Sequence, residues 1–122
     1  FEASATWPDI IRARKTDAEK ARNAKYAHSP WHYYDIFFSE DPKTGKIVER
    51  TDKENAPENA LVAMKEQTAI LADPAKPASD RAVALAWVNH LVGDLHTPLH
   101  NVARVTDDHP DGDQGGNLVK LE

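Results

Sequence analysis

The chain has 122 residues, no cysteine, and 15 Lys plus Arg against 20 Asp plus Glu, a formal net charge of −5. That length supports one domain, and the lack of cysteine excludes a disulfide scaffold or a cysteine-based zinc site. No run approaches the roughly 20 apolar residues of a membrane span, and the acidic balance argues against gripping nucleic acid through Lys and Arg alone.

Bound cations invert that charge logic, so nucleic acid stays open as a partner. The apolar content is weak, with 18 Ala but only 24 Leu, Ile, Val and Phe together. A core built this way is thin for a chain that buries roughly two-thirds of its unfolded surface. The expectation is that something else helps hold the fold, or that the chain is part of a larger unit. Phe1 to Asp9 has no basic start and no long apolar stretch, so no signal peptide is expected there.

Thr6-Trp7-Pro8-Asp9 reads as a helix start, with Thr6 as N-cap, Pro8 in the first turn and Asp9 closing a capping box. That helix is expected to run through Ile10, Ile11 and the basic stretch 12–15, then on towards Asn23. Ser29 to Phe38 is dense in aromatics and is expected to be extended. Pro42 to Gly45 is a turn signal, and Lys46 to Glu49 can pair back as a short hairpin.

Asn55-Ala56-Pro57 is expected to start a second helix. Its face is read from Leu61, Met64, Thr68 and Leu71, spaced by three and four. A third helix, capped by Ser79 or Asp80, is expected from Arg81 to about Leu95. Val83, Leu85, Ala86, Val88, Leu91, Val92 and Leu95 cover nearly all its sides, the pattern of a buried helix. Asn101 to Gly116 reads as loop.

The chemistry concentrates at the end of that third helix. His90 and Asp94 are four residues apart and project from one face. Buried together they need partners, as a hydrogen-bonded pair or as metal ligands. The full string is His90-Leu-Val-Gly93-Asp94-Leu-His96-Thr-Pro98-Leu-His100. Gly93 is expected to allow close approach beside Asp94, and Pro98 to break the helix so that His100 turns back. Three histidines and an aspartate in eleven residues are hard to explain as core packing.

The string from His90 to His100 resembles the most characteristic motif of the zinc-dependent single-strand nucleases of the S-one/P-one type, whose fold is shared with the zinc phospholipases C. Gly115-Gly116-Asn117 follows it, as in that family. Upstream, Ala5-Thr6-Trp7-Pro8-Asp9 and Ser29-Pro30-Trp31-His32-Tyr33-Tyr34-Asp35 match two further family segments in the right order. The resemblance implies a mostly helical, all-α fold with a minor irregular or hairpin insertion around 37–51.

It also implies that Asp9, His32, His90 and Asp94 bind one zinc, that Asp94 bridges to a second, and that His100 binds a third. Asp35 is implied beside the attacking water or the nucleotide, as a catalytic residue. Tyr33 is implied to line the base pocket, and Asn117, in the Gly-Gly-Asn motif, to contact substrate. Other family ligands, a leading Trp, a following His and a downstream His and Asp, find no counterpart. The chain therefore reads as a single domain, 1–122, forming the central part of a larger zinc nuclease domain, with one of up to three zinc sites complete.

The implied activity is hydrolysis of single-stranded RNA and DNA to 5′-phosphate products, with 3′-nucleotidase activity as an accompanying option. The implied location is secreted or periplasmic, and no protein partner is implied. A phospholipase C-like phosphodiesterase and a non-catalytic helical zinc-binding domain are the alternatives. Residue by residue, Asp9 also reads as a helix cap, His32 as an aromatic-cluster histidine and Asp35 as a solvated acid. His96 reads as a neighbour of the site, and His28 and His109 as loop residues. Trp7, Trp31 and Trp87 read as core. The basic run from Arg12 reads as an exposed helix face. Asp107 to Asp113 lacks the ligand spacing of a calcium loop and reads as a solvated acidic loop.

Overall fold

A computed structural model of the chain describes residues 2–120. Four helices, α1 (Glu2–Ile10), α2 (Asp17–Tyr26), α3 (Ala60–Ala72) and α4 (Ala78–Leu95), accompany three short strands, β1 (Ile36–Glu40), β2 (Ile47–Glu49) and β3 (Val102–Arg104). The fold is mostly helical with a minor sheet, in line with the expected class. Among the described residues, no helix is long and apolar enough to cross a membrane.

Helix α4 is the centre of the molecule, with α1 and α3 packed against it. Trp87 and Leu91, one turn apart on α4, join Ile11, Ala60 and Ala63 in the buried core. Full burial of each large side chain contributes roughly 1.5–3 kcal/mol. The ring of Trp87 also anchors an aromatic cluster, with Trp31 at 4.9 Å and His32 at 5.4 Å between centroids. Trp7 and Trp31 pack on this core as expected. His28 is more than a loop residue, since it stacks on Trp31 at 3.8 Å.

Several expected boundaries are corrected. Thr6 is not an N-cap, because α1 starts upstream and the Thr6 hydroxyl donates back to the Ala3 carbonyl. The helix does not continue to Asn23 either. Thr16 and Glu19 form a reciprocal capping box that starts α2 afresh. The buried Asn23 side chain donates to the Ile11 carbonyl at 3.1 Å, closing the end of α1. Helix α3 begins at Ala60 rather than near Asn55, because Asn59 accepts from the backbone N–H groups of Leu61 and Val62. Its buried face is Ala60, Ala63 and Gln67, leaving Leu61 and Thr68 exposed. Close approach to α4 favours the small side chains. Neither Ser79 nor Asp80 caps α4, whose N-cap position is Pro77. Nor is α4 buried all round, since Val92 is 48% exposed.

The segment 29–38 is extended only in its second half, since Ser29–His32 is a 3₁₀ turn with Pro30 in its first positions. The hairpin does form. Strand β1 pairs antiparallel with β2, and Gly45 takes the positive φ (+67°) that its turn requires. The loop expected after Asn101 contains β3, which pairs parallel with β1 in the register Ile36↔Val102 and Phe37↔Ala103. The sheet order is β2-β1-β3. The connection from β1 to β3 thus contains β2, α3 and α4. It brings the segments just before β1 and just before β3 together, where Tyr34 N–H donates to the His100 carbonyl at 3.0 Å.

Candidate metal centre

Two buried imidazoles and two carboxylates meet where α1, the 3₁₀ turn before β1, and α4 come together. His32 Nδ1 lies 2.8 Å from His90 Nε2. Asp94 Oδ2 lies 3.1 Å from the first and 3.0 Å from the second. Asp9 Oδ1 approaches His32 Nδ1 at 3.9 Å. One ligand atom each from Asp9, His32 and His90 falls within a 4.8 Å span, a group able to hold a metal ion.

The tautomers favour that reading. His90 Nδ1 donates to the Ala5 carbonyl at 2.8 Å, so its Nε2 turns a lone pair on the centre. His100 Nδ1 donates to the His32 carbonyl at 2.8 Å, which leaves its Nε2 as the acceptor nitrogen. Backbone carbonyls that fix the second ring nitrogen are the usual support of metal-binding histidines. One proton cannot satisfy His32 Nδ1, His90 Nε2 and Asp94 Oδ2 together, whereas a cation can. A tetrahedral ion with bonds of about 2.0–2.1 Å sets its ligands roughly 3.3 Å apart, close to the spacing seen.

The electrostatics draw positive charge to the same point, where a metal ion competes with a proton on His90 Nε2. Burial disfavours the Asp94 carboxylate, but hydrogen bonds from His32 and His90 and the charge of His90 outweigh it, holding the carboxyl well below its usual range. For His90, burial disfavours the charged ring. The hydrogen bond and charge of Asp94, with the Ala5 carbonyl and Asp9, outweigh that penalty and raise its pKa.

Beside the centre opens a cleft of about 470 Å³, lined among others by Arg12, His32, Tyr33, Asp35, His100 and Asn117. Asp35 is half-buried. Its carboxyl is pushed up first by burial and then by the charge of Asp113, against a lowering by His100. Asn55 fixes the backbone of Asp35 from both sides, accepting from its N–H at 2.7 Å and donating to its carbonyl at 2.8 Å. Tyr33 is 40% exposed at the cleft wall. Asn117 is held on the rim, its amide Nδ2 donating to the Gln114 carbonyl at 2.8 Å.

The structure therefore brings His32, His90 and Asp94 within 3.1 Å of one another, with Asp9 beside the two imidazoles. His100 stands at the edge of this group, with Nδ1 4.0 Å from Asp94 Oδ2, while Asp35, Tyr33 and Asn117 line the adjoining cleft. His96 is exposed and donates to the Val92 carbonyl.

Gly93 does not serve close packing, because a Cβ there would meet nothing within 4 Å. Gly115 does. At φ +63° a Cβ would lie 1.9 Å from the Leu99 carbonyl oxygen, so only glycine lets this loop back onto the segment carrying His100.

The family model described as S1/P1 Nuclease matches residues 1–122, the whole chain. The chain belongs to the S1/P1 nuclease family. Membership makes it a nuclease of that family, a hydrolase whose substrate is nucleic acid. No curated protein and no solved structure matches the chain.

Two features of this family member escaped the reading of its sequence. Arg12 is exposed as expected, though it lies past the end of α1, and it also lines the cleft and pairs with Asp9 at 3.7 Å. Asp113 is no solvated acid, for it is 7% exposed and accepts the Arg104 backbone N–H at 2.9 Å. The spacing of Arg12 three residues after Asp9 was an available signal. Nothing local marks Asp113, whose burial depends on the loop folding over β3.

Proposed function

We propose that this chain carries the catalytic core of a zinc-dependent endonuclease hydrolysing single-stranded RNA and DNA to 5′-phosphate products. The observation behind this reading is the convergence of His32 Nδ1, His90 Nε2 and Asp94 Oδ2 within 2.8–3.1 Å beside an open cleft. Asp9, His32, His90 and Asp94 would hold one zinc. Asp94 would bridge to a second ion and His100 would serve a third. Bound zinc supplies Lewis-acid chemistry, making water acidic enough to attack near neutral pH and offsetting negative charge at phosphorus.

The chain's own residues do the rest. The carbonyls of Ala5 and His32 hold His90 and His100 in the tautomers that leave Nε2 of each ring as the acceptor nitrogen. Asp35 accepts the proton of the attacking water at its carboxylate, and its raised pKa makes it the better base once ionised. Arg12 pairs with a phosphate oxygen in the cleft, where its guanidinium can donate two parallel hydrogen bonds.

A base stacks on the ring of Tyr33, and the Asn117 amide oxygen accepts from the base edge. A stacked duplex hides both base faces, so single strands are preferred. A secreted or periplasmic location, inferred from the family, accompanies this reading.

The experiment is zinc per chain after dialysis, with intact mass on the same sample, followed by cleavage of matched single-stranded and duplex oligonucleotides. At least one zinc per chain and faster single-strand cleavage, leaving 5′-phosphates, are expected. Assay of 3′-mononucleotides on that preparation tests the 3′-nucleotidase activity. A folded chain that retains no zinc and cleaves neither strand form refutes the proposal.

A further inference from the structure

Next to the cleft, at the end of the sheet, lies a second groove of about 510 Å³. Residues two apart on a strand share a face. Phe37 and Ala103 line the first cleft, while Ser39 and Val105, the next residues on that face, line the second. The register Phe37↔Ala103 puts both pairs in line along β1 and β3. One such step advances about 6.6 Å, the order of one nucleotide in an extended strand.

Three cations, Arg50, Lys53 and Arg104, line this groove in a protein of net charge −5. Glu40 and Asp107 line it too. Two of the three ion pairs are asymmetric, and the Arg104–Glu40 pair is not. The side chains of Arg50 and Lys53 are 33% and 25% exposed, packed into the groove, while their partners Asp52 and Asp111 stand outside at 58% and 97%. Arg50 gives Nε and Nη2 to Asp52 at 2.7 Å each. Arg104 gives Nη2 to Glu40 at 3.0 Å. A guanidinium has five donors, so both keep donors for a further anion. Lys53 holds Asp111 only at 3.5 Å, and Asp111 itself lines the first cleft. Exposed ion pairs of this kind contribute little and exchange readily.

We propose that this groove is a phosphate-binding subsite for single-stranded nucleic acid, taking the backbone of the nucleotides next to the one in the metal-centre cleft. Lys53 turns from Asp111 to a phosphate, and Arg50 and Arg104 contact the same or the adjacent phosphate. The chain then grips a polynucleotide over several residues and a dinucleotide only at the cleft. The inference rests on the nuclease reading for the identity of its ligand, yet binding tests it without cleavage.

The test is fluorescence anisotropy of a labelled twelve-nucleotide single strand and of a dinucleotide, across a salt series, with the full chain. Proteins to compare are wild type, Lys53→Ala, Lys53→Arg and Arg104→Ala, each checked for folding by circular dichroism. Lys53→Ala should weaken twelve-mer binding roughly fivefold and reduce the salt slope by about 0.7, the value for one lost phosphate contact on a single strand. Lys53→Arg should restore both, Arg104→Ala should reproduce the loss, and the dinucleotide should bind equally to all. Unchanged twelve-mer affinity and slope in Lys53→Ala and Arg104→Ala overturn the inference, as does equal weakening for the dinucleotide. A chain that binds the twelve-mer through Lys53 but never cleaves it keeps the subsite and removes the nuclease reading.

Discussion

Replacing His90 with alanine removes two things that can be measured apart. One is the Nε2 lone pair at the metal centre. The other is the Nδ1–H bond to the Ala5 carbonyl, which ties α4 to α1. With EDTA present only the second matters. A hydrogen bond of this kind contributes about 1 kcal/mol, and the space vacated beside Trp87 costs roughly another 1 kcal/mol. For a chain of 122 residues, unfolding entropy of about 0.26 kcal/mol/K converts a ~2 kcal/mol loss into a Tm drop of about 8 °C. Zinc at a hundred times its Kd stabilises the wild type by about 2.7 kcal/mol, or roughly 10 °C. Loss of a ligand weakens binding by at least about a hundredfold, since even loss of a supporting partner costs 10–100-fold. At the same zinc concentration the variant then gains only about 0.4 kcal/mol, under 2 °C. Scanning calorimetry with EDTA and with zinc separates the two effects. A variant that loses stability in EDTA yet keeps the full zinc-dependent shift refutes the assignment and returns His90 to the core.

Other substitutions test other parts of the structure. Gly115→Ala should destabilise by at least about 1–2 kcal/mol from its positive φ alone. The clash with Leu99 adds to this and displaces His100, whereas Gly116→Ala, with open space around it, should show only the backbone cost; urea midpoints of the two variants check the difference. Asp35→Asn should stabilise the EDTA-treated protein at pH 7 but not at pH 3. Burial and Asp113 raise the folded-state pKa of Asp35, so folding favours its protonated form and weakens as pH rises through the unfolded and then the folded value. Urea titrations at the two pH values provide the readout. Thr16→Ala should cost about 1 kcal/mol by removing the cap of α2, lowering Tm by about 4 °C in a thermal scan.

The convergence of His32, His90 and Asp94 was legible because such a combination of side chains is rare. A His and an Asp four apart on an apolar helix, with a proline-terminated turn to another His, have few uses, and the matching segments around Asp9 and His32 supplied their partners. The hairpin was legible from Pro42 to Gly45 for the same local reason. Helix boundaries were less so, because several side chains competed for each end. Thr6 and Thr16 both stand three residues before an acid, but only Thr16 finds its backbone free. Asn55 and Asn59 both suit a helix start, and Asn55 is used instead to hold Asp35. Strand β3 carries no pattern of its own, for three residues become a strand only when β1 lies beside them. The burial of Asp113 and the seating of Arg12 depend likewise on segments far away in sequence.

The parallel pairing of β1 with β3 divides the site between the two halves of the chain. Asp9, His32 and Asp35 precede the exposed turn of the β1–β2 hairpin; His90, Asp94, His100 and Asn117 follow it. A cut in that turn would leave two polypeptides, neither holding all the converging side chains, joined through the sheet and the packing of α1 on α4. On the zinc reading proposed above, such a nicked protein would be a split enzyme whose reassembly from its pieces would require zinc, and chelation would dissolve the complex along with the activity.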